Sequence, residues 1–191
     1  MTTKARWIIR LAQLVFNLAI VFLISAHAVA GECDVRLGDS RVDFGHIPRP
    51  NSIVTTNLNQ LLDVGQRSVS FTASCDSAGE LELTVRGEAM GDEFKFSRGG
   101  QVSITVRNAM LDGRSIQLAT HKVDGSNAGS YSSSAVVGPG DTLIPVMNGI
   151  RAKGSVWSMT MEIRPKIRMA ELRTADAKTP EANLAFEVRQ R

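Results

Sequence analysis

The chain has 191 residues, with 22 Lys and Arg against 19 Asp and Glu, a formal net charge of +3. The whole excess lies at the start: Lys4, Arg6 and Arg10 precede the first acidic residue, Glu32, and residues 31–191 carry 19 of each sign. Such a balance gives no reason to expect nucleic acid or an anionic membrane as a partner, and 161 residues after position 30 suffice for one domain with a sizeable core.

Residues 1–30 read as a secretory signal that is removed. A basic stretch is followed by the mostly apolar run 11–24 (LAQLVFNLAIVFLI), and Ala28-Val29-Ala30 supplies the small-x-small pattern of a cleavage site. Ala26-His27-Ala28 is a second option two residues earlier. An uncleaved anchor is the rival reading, but a spanning helix needs about 20 apolar residues, and Gln13 and Asn17 shorten this run. Residues 31–191 are then the single mature domain.

Cys33 follows the leader closely, and Cys75 is the only other cysteine. An exported chain meets an oxidising compartment, so an isolated pair reads as a structural disulfide. Neither cysteine belongs to a Cys-x-x-Cys motif or to a metal-ligand set.

Further along, the dominant period is two. In 67–75 (RSVSFTASC), Val69, Phe71, Ala73 and Cys75 share a face opposite serines and Thr72. Leu81, Leu83 and Val85 alternate with polar residues in 80–86, as do Val102, Ile104 and Val106 in 101–107. The run 155–163 sets Trp157, Met159, Met161 and Ile163 on one side, and Leu184, Phe186 and Val188 repeat the pattern near the end. Each predicts a strand with one wet face. Turn chemistry falls at 76–79, 98–100, 112–113, 124–129, 138–140 and 148–149. Residues 169–177 suit either one or two helical turns or a polar connection, and 124–134 (DGSNAGSYSSS) a mobile loop. The fold class expected is all-β, an antiparallel sandwich or barrel.

Signatures of catalysis are missing. His46 and His121 stand 75 residues apart in no metal-ligand spacing. There is no Gly-x-Ser-x-Gly elbow, no phosphate-binding Gly-rich loop and no basic-aromatic stripe, and the carboxylates are scattered. The reading is of a protein that is not an enzyme and holds no cofactor or metal. A hydrolase with scattered carboxylates is the weakest of three readings, tested by whether a pocket gathers two of them.

Taken together, these residues resemble a subunit of the chaperone–usher fimbriae (pili) of Gram-negative bacteria. The resemblance covers most of the mature chain. It rests on the leader, Cys33 heading a first strand, Val42-Asp43-Phe44-Gly45 after it, and Arg67-Ser68-Val69-Ser70-Phe71 leading to Cys75. The strand 81–87, an alternating strand 155–165 ending in proline, and the last alternating strand complete it. What the resemblance implies is an immunoglobulin-like, pilin-type sandwich lacking its final strand, with a Cys33–Cys75 disulfide from the first strand to the end of the second. It also implies a groove along Leu184, Phe186 and Val188, filled first by a periplasmic chaperone and then by an extension of the next subunit. Backbone pairing gives affinity in such strand addition, and alternating pockets give register. Left uncovered, an apolar edge of this kind invites aggregation. The partners implied are the periplasmic pilus chaperone, the outer-membrane usher and an adjacent subunit, with export through the periplasm to the cell surface. A host or surface receptor would meet loops 46–62 and 121–140.

The chain departs from that pattern in three places. Only Gly31 and Glu32 precede Cys33 after cleavage at Ala30, too little to donate a strand. Gln190 stands where many members have a penultimate tyrosine, and Lys178 where they have a glycine. A subunit that accepts a strand without giving one belongs at the fibre tip, as a single-domain tip or minor subunit. The alternative is a self-contained periplasmic or secreted β-sandwich binding protein.

Overall fold

The computed structural model describes residues 32–45, 47, 59–122, 131–173 and 180–191. The leader, His46, most of the candidate receptor loop 46–62 and residues 123–130 of the loop 121–140 lie outside these residues. In chain order the strands are β1 (Cys33–Leu37), β2 (Leu61–Asp63), β3 (Arg67–Gly87), β4 (Ala89–Met90), β5 (Glu93–Phe96) and β6 (Gly100–Leu111). They continue with β7 (Arg114–Ser115), β8 (Gln117–His121), β9 (Ser134–Val137), β10 (Thr142–Met147), β11 (Ile150–Arg151), β12 (Lys153–Arg168) and β13 (Leu184–Gln190). A 3-10 helix, Met169–Arg173, is the one helical element among the described residues. The fold is all-β, and every strand pairing is antiparallel.

Two layers share β3. Its first half pairs with β1 on one side and β12 on the other, and β6 follows β12. Its second half pairs with β13 on one side and β10 on the other, and β8 follows β10. Between the layers lies a core in which Phe71, Ala73, Ile104, Val106 and Trp157 face Leu81, Leu83, Val85, Leu118 and Leu143, all essentially inaccessible to water. Opposite β1 and β13 the layers are stitched together: Leu118 and Ser132 exchange two backbone hydrogen bonds of 2.8 and 3.1 Å, and the chain from Ser132 runs directly into β9.

Four sequence expectations change. The turn chemistry at 76–79 makes no turn; β3 runs through it, so Cys75 lies within a strand rather than at the end of one. Odd-numbered residues face inward from Val69 to Ala73 and again from Gly79 to Val85, with an exposed, irregular stretch at 76–78 between them, so one strand serves both layers. Second, β12 continues past Pro165 to Arg168. Pro165 lacks an N–H, but its carbonyl accepts from Val64 N at 3.0 Å, and the missing donor falls at the break between β2 and β3 rather than within either strand. Third, Ser132 and Ser134 are not loop residues: the first bridges to Leu118 and the second starts β9. Fourth, β6 extends to Leu111 across a bulge at Asn108 (φ 53°), which restores the inward phase for Ala109 and Leu111.

Two turns follow the sequence closely. Asp112-Gly113 (φ 48° and 76°) joins β6 to β7, and Asn148-Gly149 (φ 53° and 79°) joins β10 to β11. Both are two-residue hairpin loops with positive φ at each position, the conformation that Asp-Gly and Asn-Gly favour. At residues 169–177 the helical alternative holds for Met169–Arg173, and 174–177 lie outside the described residues.

Candidate functional site: the β1/β13 edge

The disulfide forms as expected. Cys33 and Cys75 stand directly opposite each other in the β1–β3 register and are bonded, closing a separation of 42 residues. It fixes β1 to the outer side of β3, where β13 also lies farther along. Both strands run antiparallel to β3, so they follow one another along one edge of the molecule, β13 first and then β1.

Which atoms face outward follows from the hydrogen bonds. Arg191 N donates to Glu80 O and Glu80 N donates to Arg191 O, both at 2.9 Å. In an antiparallel ladder, residues that exchange both bonds alternate with residues whose N–H and C=O point the other way. With an unbroken register, Ala185, Glu187 and Arg189 therefore bond to β3, while Leu184, Phe186, Val188 and Gln190 turn their backbone groups to the open side. On β1, Gly38 N donates to Ser70 O at 2.8 Å, which by the same alternation turns Val35 and Leu37 outward. Among the described residues β13 pairs with β3 alone, and no strand pairing joins it to β1.

The same residues point their side chains between the layers. Leu184, Phe186 and Val188, with Val35 and Leu37, pack against the core yet remain only partly buried. Here, then, is a seam of about 23 Å along β13, taking seven residues at about 3.3 Å each, with apolar side chains facing in and unused backbone groups facing out. On the solvent face Glu187 is bonded to Arg86 and Arg189 at 2.8 and 2.6 Å. Hydrogen bonds from Arg189 and then Arg86 lower its pKa below the usual glutamate value.

Gln190 continues the inward row with a polar group. Its Nε2 donates to Ser77 O at 2.5 Å, and its Oε1 is buried without a partner. The sequence marks Gln190 only as standing in place of a penultimate tyrosine, and the first strand only through Cys33 at its head; neither is expected there to join this seam. The alternation Cys33-Val35-Leu37 is present, but five residues are too few to distinguish an edge strand from a loop.

Elsewhere the site chemistry is sparse. His121 ends β8, paired in register with Thr142. Among the described residues no three His, Cys, Asp or Glu side chains gather into a metal-binding group, and no helix is long and apolar enough to cross a membrane. Buried acids are committed to the fold: Asp141 accepts from Gly138 N at 2.7 Å and pairs with Lys122, and Glu82 pairs with Arg151 at 2.6 Å. The chain matches no model of a known protein family and no curated protein.

Proposed function

We propose that this chain is a strand-accepting subunit of a chaperone–usher fimbria, with an immunoglobulin-like, pilin-type sandwich that a donated strand completes. One observation carries the reading: Leu184, Phe186 and Val188 present half-buried apolar side chains inward while their own backbone groups face an unpaired edge. An extended segment laid along β13 would satisfy both at once, main chain to main chain and alternate side chains into the seam. The opposite seam is already closed through Leu118 and Ser132, so completion is needed on one side only. The tip position rests on the expected cleavage after Ala30, which leaves Gly31 and Glu32 ahead of Cys33. The partners of this reading are a periplasmic chaperone, an outer-membrane usher and the following subunit, and its destination is the cell surface.

Co-production with a periplasmic pilus chaperone tests the proposal. The expected product is a soluble one-to-one complex, lost on Phe186→Asp. A stable, monodisperse monomer made without any strand partner overturns it, as does capture that survives Phe186→Asp. The alternative of a self-contained binding sandwich draws on the complete pairing of β13 with β3; it predicts that same stable monomer, unfolding in one cooperative step.

A further inference from the structure

Two hairpins of the same build end in different chemistry: Asp112-Gly113 between β6 and β7, and Asn148-Gly149 between β10 and β11. No other asparagine in the chain precedes glycine. A glycine has no Cβ to screen its own amide nitrogen, so that nitrogen can attack the side-chain carbonyl carbon of the residue before it. Whether it does depends on how freely the two groups move and on how good an electrophile the side chain is.

The two turns differ on both counts. The Asp112 carboxylate is held from a third strand, accepting from Val156 N at 2.8 Å, Ser155 N at 3.1 Å and the Ser155 hydroxyl at 3.3 Å. Those donors stabilise the ionised form, whose oxygens are poor leaving groups. Asn148 has no such tether. Among the described residues its side chain makes no hydrogen bond, and Gly149 N donates to no backbone oxygen. Both residues are exposed. Around Gly149 the space is open: among the described residues only Tyr131 Cε2, at 3.8 Å, lies within 4 Å of where a Cβ would sit.

The fixed torsions of a tight turn restrain such an attack, so the step runs through an opened tip. Here opening is cheap. β11 is two residues long and meets β10 only through Val146–Arg151 and Met147–Ile150. Releasing those pairs leaves β10 bound to β8 and β3, a local event far below global unfolding. At the other hairpin, opening would also cost the bonds from Ser155 and Val156.

We propose that Asn148-Gly149 is a site of spontaneous covalent modification, at which the asparagine amide is converted to a carboxylate with water as the only co-reactant. Gly149 N bonds to Asn148 Cγ, the bond from Cγ to the side-chain nitrogen breaks, and that nitrogen leaves as ammonia with the proton given up by Gly149. Water then opens the five-membered imide. Attack at Cγ restores the backbone and leaves an aspartate; attack at the backbone carbonyl carbon leaves an isoaspartate, its main chain running through Cγ. Nothing is oxidised or reduced. The new carboxylate stands on a rim with Arg114, Arg151 and Lys153, so like charge does not oppose it. An isoaspartate adds one backbone atom to a two-residue turn, so only the aspartate keeps the Met147–Ile150 pairing. This inference does not depend on the strand-accepting reading, since Asn148 lies on neither β1 nor β13.

The test ages the whole exported protein, with its strand partner if it purifies with one, in mildly alkaline buffer and maps its peptides by mass spectrometry. The folded protein is expected to gain the mass of an NH2-to-OH exchange at position 148, as separable aspartyl and isoaspartyl peptides, and Asn148→Ser to lose that gain. Asp112→Asn places the same dipeptide in the tethered turn. In that variant position 148 should convert ahead of position 112 while the protein is folded, and the two should convert alike in urea. An unmodified position 148 in folded protein, under conditions that convert the urea-unfolded chain, overturns the proposal. So does a position 112 that keeps pace with 148 in the folded variant, because the dipeptide alone would then set the rate.

Discussion

The ring of Phe186, in the last strand, packs against Phe71 of the other layer, with centroids 6.0 Å apart and planes tilted by 55°. Phe71 is wholly buried, whereas Phe186 is partly open to water. One contact thus joins the closed core to the exposed seam. Phe71→Ala should cost about 3–5 kcal/mol, as for a fully buried aromatic, and Phe186→Ala less, about 2 kcal/mol. A strand seated along β13 would bury Phe186 further, so its cost should rise in the strand-complemented protein while that of Phe71 stays constant. Urea unfolding of both variants, with and without the partner, measures this. Equal costs for Phe186→Ala in the two states would mean that nothing covers the ring.

The Cys33–Cys75 bond closes a loop of 42 residues and anchors β1 on the outer side of β3. Loop-closure arithmetic puts its contribution at about 3–4 kcal/mol, more than β1 can regain through five residues of edge pairing. Cys33→Ala/Cys75→Ala should therefore lower the denaturation midpoint substantially and release β1 first. Hydrogen exchange at Arg36 and Gly38, whose amides face β3, should rise more than at Phe71, which remains paired with β12.

Where hydrophobic alternation is regular, the sequence and the structure agree: Val69 to Ala73, Val102 to Val106 and Trp157 to Met161 face the core as their period of two predicts. β10 escaped that reading because 143–146 are buried on both faces, so Leu143, Ile144, Pro145 and Val146 carry no alternation. The two short strands β8 and β9 were hidden for another reason: their pairing is fixed by distant partners, β10 and β6. At the candidate site, the row Leu184, Phe186 and Val188 was legible from period alone. That its backbone faces an unpaired edge was not, because pairing depends on where every other strand ends, and a bent β3 spanning both layers decides that.

Asp112 makes acid stability testable. The hydrogen bond from Val156 N is the largest influence and burial, which opposes it, the next; with the Ser155 amide and hydroxyl and the charge of Arg114 the balance holds its pKa below the ordinary 3.8. A group whose folded pKa is depressed binds its proton less readily in the native state. Its stabilisation is therefore complete above about pH 4 and is lost as pH falls through the folded value. Glu187 acts in the same sense from its ordinary 4.5 downward. Asp112→Asn keeps a residue that tolerates the positive φ of the turn but removes the charge. It should cost about 1 kcal/mol at pH 7 and flatten the decline in denaturation midpoint below pH 4. An unchanged acid limb in the variant would assign that decline to other carboxylates.

Gly79 sets how closely the chain terminus can approach β3. A Cβ there would lie 2.7 Å from Gln190 Cγ and 2.9 Å from the Arg191 carbonyl oxygen. Gln190 can swing aside, though only by giving up its bond to Ser77 O; Arg191 cannot, because its backbone exchanges both hydrogen bonds with Glu80. Gly79→Ala should therefore peel the last residues of β13 from β3 at a cost of about 1–3 kcal/mol. Amide exchange should accelerate at Glu80 and Arg191 while it stays slow at Ala185 and Glu187, which bond to β3 farther from the clash. Adding Gln190→Ala separates the two contacts. It removes the side-chain clash and leaves the one with the carbonyl, so the double variant should regain stability only in part. Full recovery would show that the glutamine side chain, rather than the backbone of Arg191, is what requires glycine at position 79.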